Sequence, residues 1–166
     1  IIGSGNIADA FAHSIKYSQK SELISIFGRN SETVSQFSTK FDINPYSDIH
    51  DFLSSNEIDA VYIATPHNSH YFYSLEAIKS NKHVLCEKPL TMNYLESMTL
   101  LNLAKEAKVF LMEAYMYRTH PQTFNMLEHL DLFKNTKEKI FIESSFGFSA
   151  ELPKEHRLRN PLLGCL

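Results

Sequence analysis

Tryptophan is absent from this 166-residue chain, and cysteine nearly so. The two cysteines, Cys86 and Cys165, stand far apart with no metal-binding or redox spacing around them. That excludes a disulfide scaffold and points to a reducing, cytoplasmic setting. Neither sign of charge is in large excess: the formal net charge is −3, so nothing electrostatic argues for a nucleic-acid or anionic-membrane partner. No apolar run approaches the roughly 20 residues that cross a bilayer. The eight histidines are scattered and never pair on one helix face as metal ligands do, so no metal is expected. Glycine is scarce too, five residues in all, yet two of them fall within the first five positions.

What is present is a hydrophobic content of 43%, enough for a real core, arranged as short apolar runs alternating with amphipathic ones. Ile1-Ile2 reads as the end of a strand, and Asn6 to about Tyr17 as a helix with Ile7, Ala10, Phe11 and Ile15 at helical spacing. Glu22–Phe27 is strand-like, and Ser31 is the expected N-cap of a helix through Phe41. Asn44–Tyr46 suits a very short strand, and Ser47 opens a small helix. "DAVYIATP", "HVLCEKP" and "VFLMEAY" read as strands buried on both faces, separated by helices over about Ser69–Ser80 and Asn93–Ala107. His120–Leu130 reads as helix and Glu138–Phe148 as a last strand. Such alternation predicts an α/β fold, a Rossmann-type doubly wound parallel sheet. The expected organisation is a dinucleotide-binding core over 1–121, a closing helix and strand or crossover over 122–148, and a polar linker over 149–166.

Gly3, Gly5 and Ala8 form G-x-G-x-x-A between an apolar pair and a helix. The first glycine permits a tight turn, the second lets backbone approach a pyrophosphate, and the small third residue lets helix pack on strand. The helix start offers N–H groups and partial positive charge to phosphates. At the end of the next strand, where NAD-preferring sites carry Asp or Glu, stand Gly28 and Arg29. Arginine pairs with a 2′-phosphate, so the expected cofactor is NADP rather than NAD, with Asn30 or Ser31 adding a hydrogen bond. The alternative for Arg29 is a solvated strand end.

"ATPHNSH" puts Thr65, Pro66, His67 and Asn68 at the end of a central strand, where ligands of open α/β sheets lie, and His70 at the next helix start. His70 either faces that cleft or hydrogen-bonds locally. "CEKPLT" ends the following strand on the same edge. There Lys88 can stabilise a developing alkoxide as hydride leaves its carbon, with Glu87 orienting the lysine.

The segments "GSGNIA", "ATPHNSH", "CEKPLT" and "EAYMYRTHP", in this order from Gly3 to Pro121, resemble the glucose–fructose oxidoreductase, inositol dehydrogenase and MocA-like oxidoreductases. "EAYMYRTHP" with "HRLRNPLLG" looks closest to the branch of dihydrodiol dehydrogenases and NADP-dependent xylose dehydrogenases. The resemblance implies that Gly3, Gly5, Asn6 and Ile7 contact the pyrophosphate and Arg29 the adenosine phosphate. It implies that Thr65, Pro66, His67 and His70 line the cofactor cleft, with Glu87 beside the nicotinamide and Lys88 as the catalytic lysine. Glu113 and Arg118 would complete the pocket or form a structural ion pair.

In that family a second α/β domain supplies the substrate wall, further acid/base residues and often a homo-oligomer interface. Here the sequence ends at "NPLLGCL", so the expectation is a cofactor domain with half an active site. It should bind NADP weakly alone and turn over little. The expected parent activity is hydride transfer between NADP and a hydroxyl-bearing carbon of a small sugar or cyclic diol. Rival readings are a dinucleotide-sensing regulator, against which the intact "EKP" argues, and a gene fragment with no independent role. A first strand clipped to Ile1-Ile2 is expected to weaken the sheet.

Overall fold

The computed structural model describes residues 1–134 together with 139, 141, 143 and 145. The strand expected at Glu138–Phe148, where only isolated positions are described, and the segment 149–166 with Cys165 lie outside that account.

Among the described residues five strands alternate with helices: α1 Asn6–Ile15, β1 Ser25–Phe27, α2 Ser31–Phe41, β2 Asn44–Tyr46, α3 Ile49–Ser54, β3 Ala60–Ile63, α4 His70–Lys79, β4 His83–Cys86, α5 Tyr94–Ala107, β5 Leu111–Glu113 and α6 Pro121–Asp131. All strand pairs are parallel: β1 with β2, β3 with β4, and β4 with β5. The two sets are joined by Ile2, which bridges Phe27 on one side and Ile63 on the other. Its neighbours complete the seam: Ile2 N–H donates to Tyr62 (2.8 Å), Ala64 to Ile2 (2.9 Å), Gly3 to Phe27 (2.8 Å) and Phe27 to Ile1 (2.9 Å). The short opening strand is thus hydrogen-bonded on both edges, and the strand order is β2-β1-(Ile1–Gly3)-β3-β4-β5.

Period-2 alternation divides the core into two layers. Ile2, Phe27, Val61, Ile63, Val84 and Cys86 pack with Phe52, Leu53, Tyr73, Ala77, Ile78, Leu100 and Ala104, from α3, α4 and α5. Ile1, Ile26, Tyr62 and Ala64 face the other way, onto Ala8, Ala12, Val34, Phe37 and Phe41 of α1 and α2. Helices on both faces of a parallel sheet make the Rossmann-type fold that the alternation predicts.

Two helix starts differ from expectation by one residue. The cap of α2 is Asn30, whose side chain accepts from Thr33 N–H (3.1 Å), with Ser31 the first helical residue. The cap of α3 is Asp48 rather than Ser47; it accepts from His50 (2.7 Å) and Asp51 (3.1 Å). These hydrogen bonds hold the Asp48 carboxyl below its ordinary range. Cap-competent residues stand side by side at both places, and apolar spacing alone does not set the phase.

Candidate functional site

The carboxyl ends of the strands gather "GSGNIA", "ATPHNSH", "CEKPLT" and the start of "EAYMYRTHP". Gly3 has φ +104°, a backbone that L side chains rarely adopt, and a Cβ there would stand 2.9 Å from the Ala64 carbonyl oxygen. The turn therefore presses against the end of β3. Gly5 is different: it is the N-cap of α1, and a Cβ on it would meet nothing within 4 Å. No described group accepts from the amides of Asn6, Ile7 and Ala8, the first turn of α1. The exposed amides of Asn6 and Ile7 at a helix start, beside a glycine with open space over it, fit a pyrophosphate. Ala8 is fully buried against the sheet and Ile7 is exposed.

Arg29 is exposed just beyond β1, and its guanidinium meets no described partner. Ser4 Oγ and Thr33 Oγ1 lie 2.8 Å apart, tying the glycine turn to the first turn of α2. The absence of a carboxylate at Gly28 has a packing reason: a Cβ there would come within 2.8 Å of Val34 Cγ2. Asn30 uses its side-chain oxygen as the α2 cap, so its remaining side-chain donors are those of the NH2 group.

After β3, Thr65 is half-buried and Pro66 exposed, while His67 is buried in a 3-10 turn over His67–Ser69. Ser69 Oγ donates to Thr65 Oγ1 (2.8 Å). His70 is fully buried, with Nδ1 2.7 Å from the Pro89 carbonyl oxygen and Nε2 2.8 Å from that of Thr65. Both ring nitrogens are thus engaged with backbone carbonyl oxygens, one just past the end of β3 and one in the turn after β4.

Lys88 is exposed, follows β4 and precedes a cis peptide to Pro89. Its ammonium makes no ion pair with any described residue. No ion pair joins Glu87 to that ammonium. Its buried carboxylate accepts the Tyr62 hydroxyl (2.6 Å) and the Lys88 backbone N–H (3.3 Å), so it acts on the backbone of the turn. Cross-strand placement explains this: Glu87 shares a sheet face with Tyr62, while Lys88 lies past the strand end. Burial, then the Glu87 hydrogen bond, pushes the Tyr62 phenol well above its ordinary value.

No ion pair joins Glu113 to Arg118. Glu113 instead accepts from Leu90 N–H (2.8 Å), while Arg118 is exposed in a 3-10 turn over Met116–Thr119. Sequence reasoning passed over Tyr62, Ser4 and Thr33, since only strand register and the approach of α2 to the glycine turn bring them to this edge. Among the described residues no cluster of three His, Cys, Asp or Glu side chains could hold a metal ion, and no helix is long and apolar enough to cross a membrane. A cleft of about 460 Å³ opens at the amino ends of the strands, lined by Ile1, Glu22, Phe52, Glu57 and Asp59 among others; Tyr62 also borders it, while Glu87 and Lys88 do not.

Residues 1–115 match an oxidoreductase family described by its NAD-binding Rossmann fold. Among similar proteins, a scyllo-inositol 2-dehydrogenase (NADP(+)) of Bacillus subtilis is 33% identical over 78% of this chain and 40% of its own length. A D-xylose 1-dehydrogenase (NADP(+)) of Hypocrea jecorina is 26% identical over 97% of this chain and 46% of its own. The crystal structure of a 3-ketoreductase from Actinomadura kijaniata, in complex with NADP and TDP-benzene, superposes with a TM-score of 0.73 at 30% identity, covering 79% of this chain and 41% of that one. The chain thus spans less than half the length of these relatives.

Proposed function

This chain belongs to the Gfo/Idh/MocA family of oxidoreductases, and we propose that its protein moves a hydride between NADP and a hydroxyl-bearing carbon of a sugar or cyclic diol. The observation that carries this reading is the pairing, on one strand edge, of an open glycine turn with an exposed lysine that has no ion-pair partner among the described residues. The names of NADP-dependent inositol and xylose dehydrogenases among its relatives support it.

In this reading the amides of Asn6 and Ile7 bind the pyrophosphate beside Gly5, while Ala8 lets α1 pack closely on the sheet. Arg29 pairs with the adenosine 2′-phosphate, and the Asn30 amide adds a hydrogen bond. Thr65, Pro66 and His67 line the nicotinamide side, and Arg118 lies toward the pocket rim. When bound, the nicotinamide supplies the hydride acceptor or donor. Lys88 donates a hydrogen bond to the substrate oxygen and stabilises negative charge as it develops there. Glu87 contributes by fixing the Lys88 backbone. Residues 1–121 serve as the cofactor core.

Calorimetric titration of the 166-residue chain with NADP and NAD tests the cofactor; equal or tighter binding of NAD overturns the preference. In the whole protein, Lys88→Ala is expected to lower kcat by about 10²–10⁴-fold with NADP binding kept. An unchanged kcat on the sugar or diol that is turned over removes Lys88 from the mechanism.

A further inference from the structure

The Pro89–Leu90 peptide group is held at both ends. Its carbonyl oxygen lies 2.7 Å from His70 Nδ1, and its N–H donates to the Glu113 carboxylate at 2.8 Å. The other ring nitrogen of His70 lies 2.8 Å from the Thr65 carbonyl oxygen. Both partners of the ring are carbonyl oxygens, which can only accept. A neutral imidazole carries one N–H, so one of these contacts would set lone pair against lone pair. Only the imidazolium satisfies both.

A buried cation needs a compensating anion. Glu113 supplies one through the peptide, since β5 pairs with β4 in a register that sets Glu113 opposite Cys86, on the sheet face covered by α4. Glu87, the other carboxylate at this edge, points to the opposite face, where Tyr62 holds it. The Cys86 thiol faces the same turn and lies 3.9 Å from the Leu90 carbonyl oxygen.

We propose that His70, as an imidazolium, and Glu113, as a carboxylate, form a charged pair across the Pro89–Leu90 peptide and are positioning residues for Lys88. Each group polarises the peptide in the sense that strengthens the other's hydrogen bond. The turn bearing Lys88 is thereby tied to the end of β3 through Thr65 and to the end of β5 through Glu113. That this turn serves hydride transfer rests on the function proposed above; the charged pair itself does not.

Nitrogen-15 NMR of the histidine-labelled 166-residue chain at neutral pH tests the pair without cofactor or substrate, so it stands or falls separately from the enzymatic reading. Spectral subtraction of Glu113→Gln and His70→Gln variants assigns the ring. Both His70 nitrogens are expected in the protonated range, and Glu113→Gln is expected to return one of them to the unprotonated range. A bare ring nitrogen in the unsubstituted chain overturns the imidazolium, and a ring that keeps both protons in Glu113→Gln overturns the pairing. Leu90 amide exchange, read in either variant that folds, is expected to quicken by about tenfold. An unchanged rate overturns the grip on the turn. Should His70→Gln not fold, the unsubstituted chain and Glu113→Gln decide alone.

Discussion

The Tyr62 hydroxyl donates to Glu87 at 2.6 Å, one strand away from the turn that carries Lys88. The Tyr62 ring in turn stacks on Phe11 of α1 at 3.9 Å between centroids. The helix whose first turn faces the glycine loop and the carboxylate that fixes the Lys88 backbone are therefore joined through a single side chain.

Tyr62→Phe leaves one oxygen of a buried carboxylate without its donor. The expected cost is about 1–3 kcal/mol in urea unfolding. The pH dependence has a definite sign. A phenol whose pKa is raised on folding contributes stability that is complete below its ordinary value of 10.0 and declines as pH rises above it. Tyr62→Phe should remove that part of the alkaline loss, and an identical decline in both proteins would show that Tyr62 is not its source.

Gly3 and Gly5 separate folding from binding. Gly3→Ala forces a Cβ against the Ala64 carbonyl at φ +104° and should destabilise the chain by about 1–3 kcal/mol. Gly5→Ala, at φ −82° with open space around it, should melt as the parent does. Its effect should appear in calorimetry as weaker dinucleotide binding. A Gly5→Ala chain that binds NADP as tightly as the parent would remove the pyrophosphate from this turn.

The α2 start offers a second such separation. Asn30→Ala loses the cap and about 1 kcal/mol of stability. Asn30→Asp keeps a capping oxygen and places negative charge at a helix N-terminus, so stability should hold. The same charge beside Arg29 should weaken NADP more than NAD. Arg29→Ala should weaken NADP by about 10–100-fold and leave NAD unchanged. Parallel losses for both dinucleotides would show that no 2′-phosphate is recognised there.

Burial pushes the Cys86 thiol up to about 12 from an ordinary 9.0. In a Cys165→Ser background, iodoacetamide near neutral pH should modify Cys86 only at the rate at which the chain opens, and denaturant should abolish the protection. The raised value also means stability that is complete below pH 9.0 and falls as pH climbs toward 12. Rapid alkylation of the folded chain would contradict the burial.

Strand and helix order were legible because buried parallel strands leave apolar runs such as "AVYI", and the glycine turn because its backbone requirements are local. Cross-strand and side-chain-to-backbone partners were not. Nothing in the sequence marks Tyr62 for Glu87 rather than Lys88 for Glu87; the choice follows from which sheet face each residue takes once Ile63 pairs with Cys86. Likewise, Glu113 beside Arg118 in sequence suggests an ion pair, whereas the β4–β5 register gives the carboxylate to Leu90 N–H. The role of His70 is illegible in sequence for the same reason: the carbonyl oxygens at its ring nitrogens come from two separate strand ends.

The seam at Ile1–Gly3 has a consequence for how the domain folds. It precedes both halves of the sheet in the chain but can be paired only after each has delivered its own strand, β1 from one side and β3 from the other. These contacts are long-range, and loop closure must precede their reward. Local βα units can therefore form early, while the residues at the head of the glycine turn lock last, so formation of that turn reports that the two halves have docked.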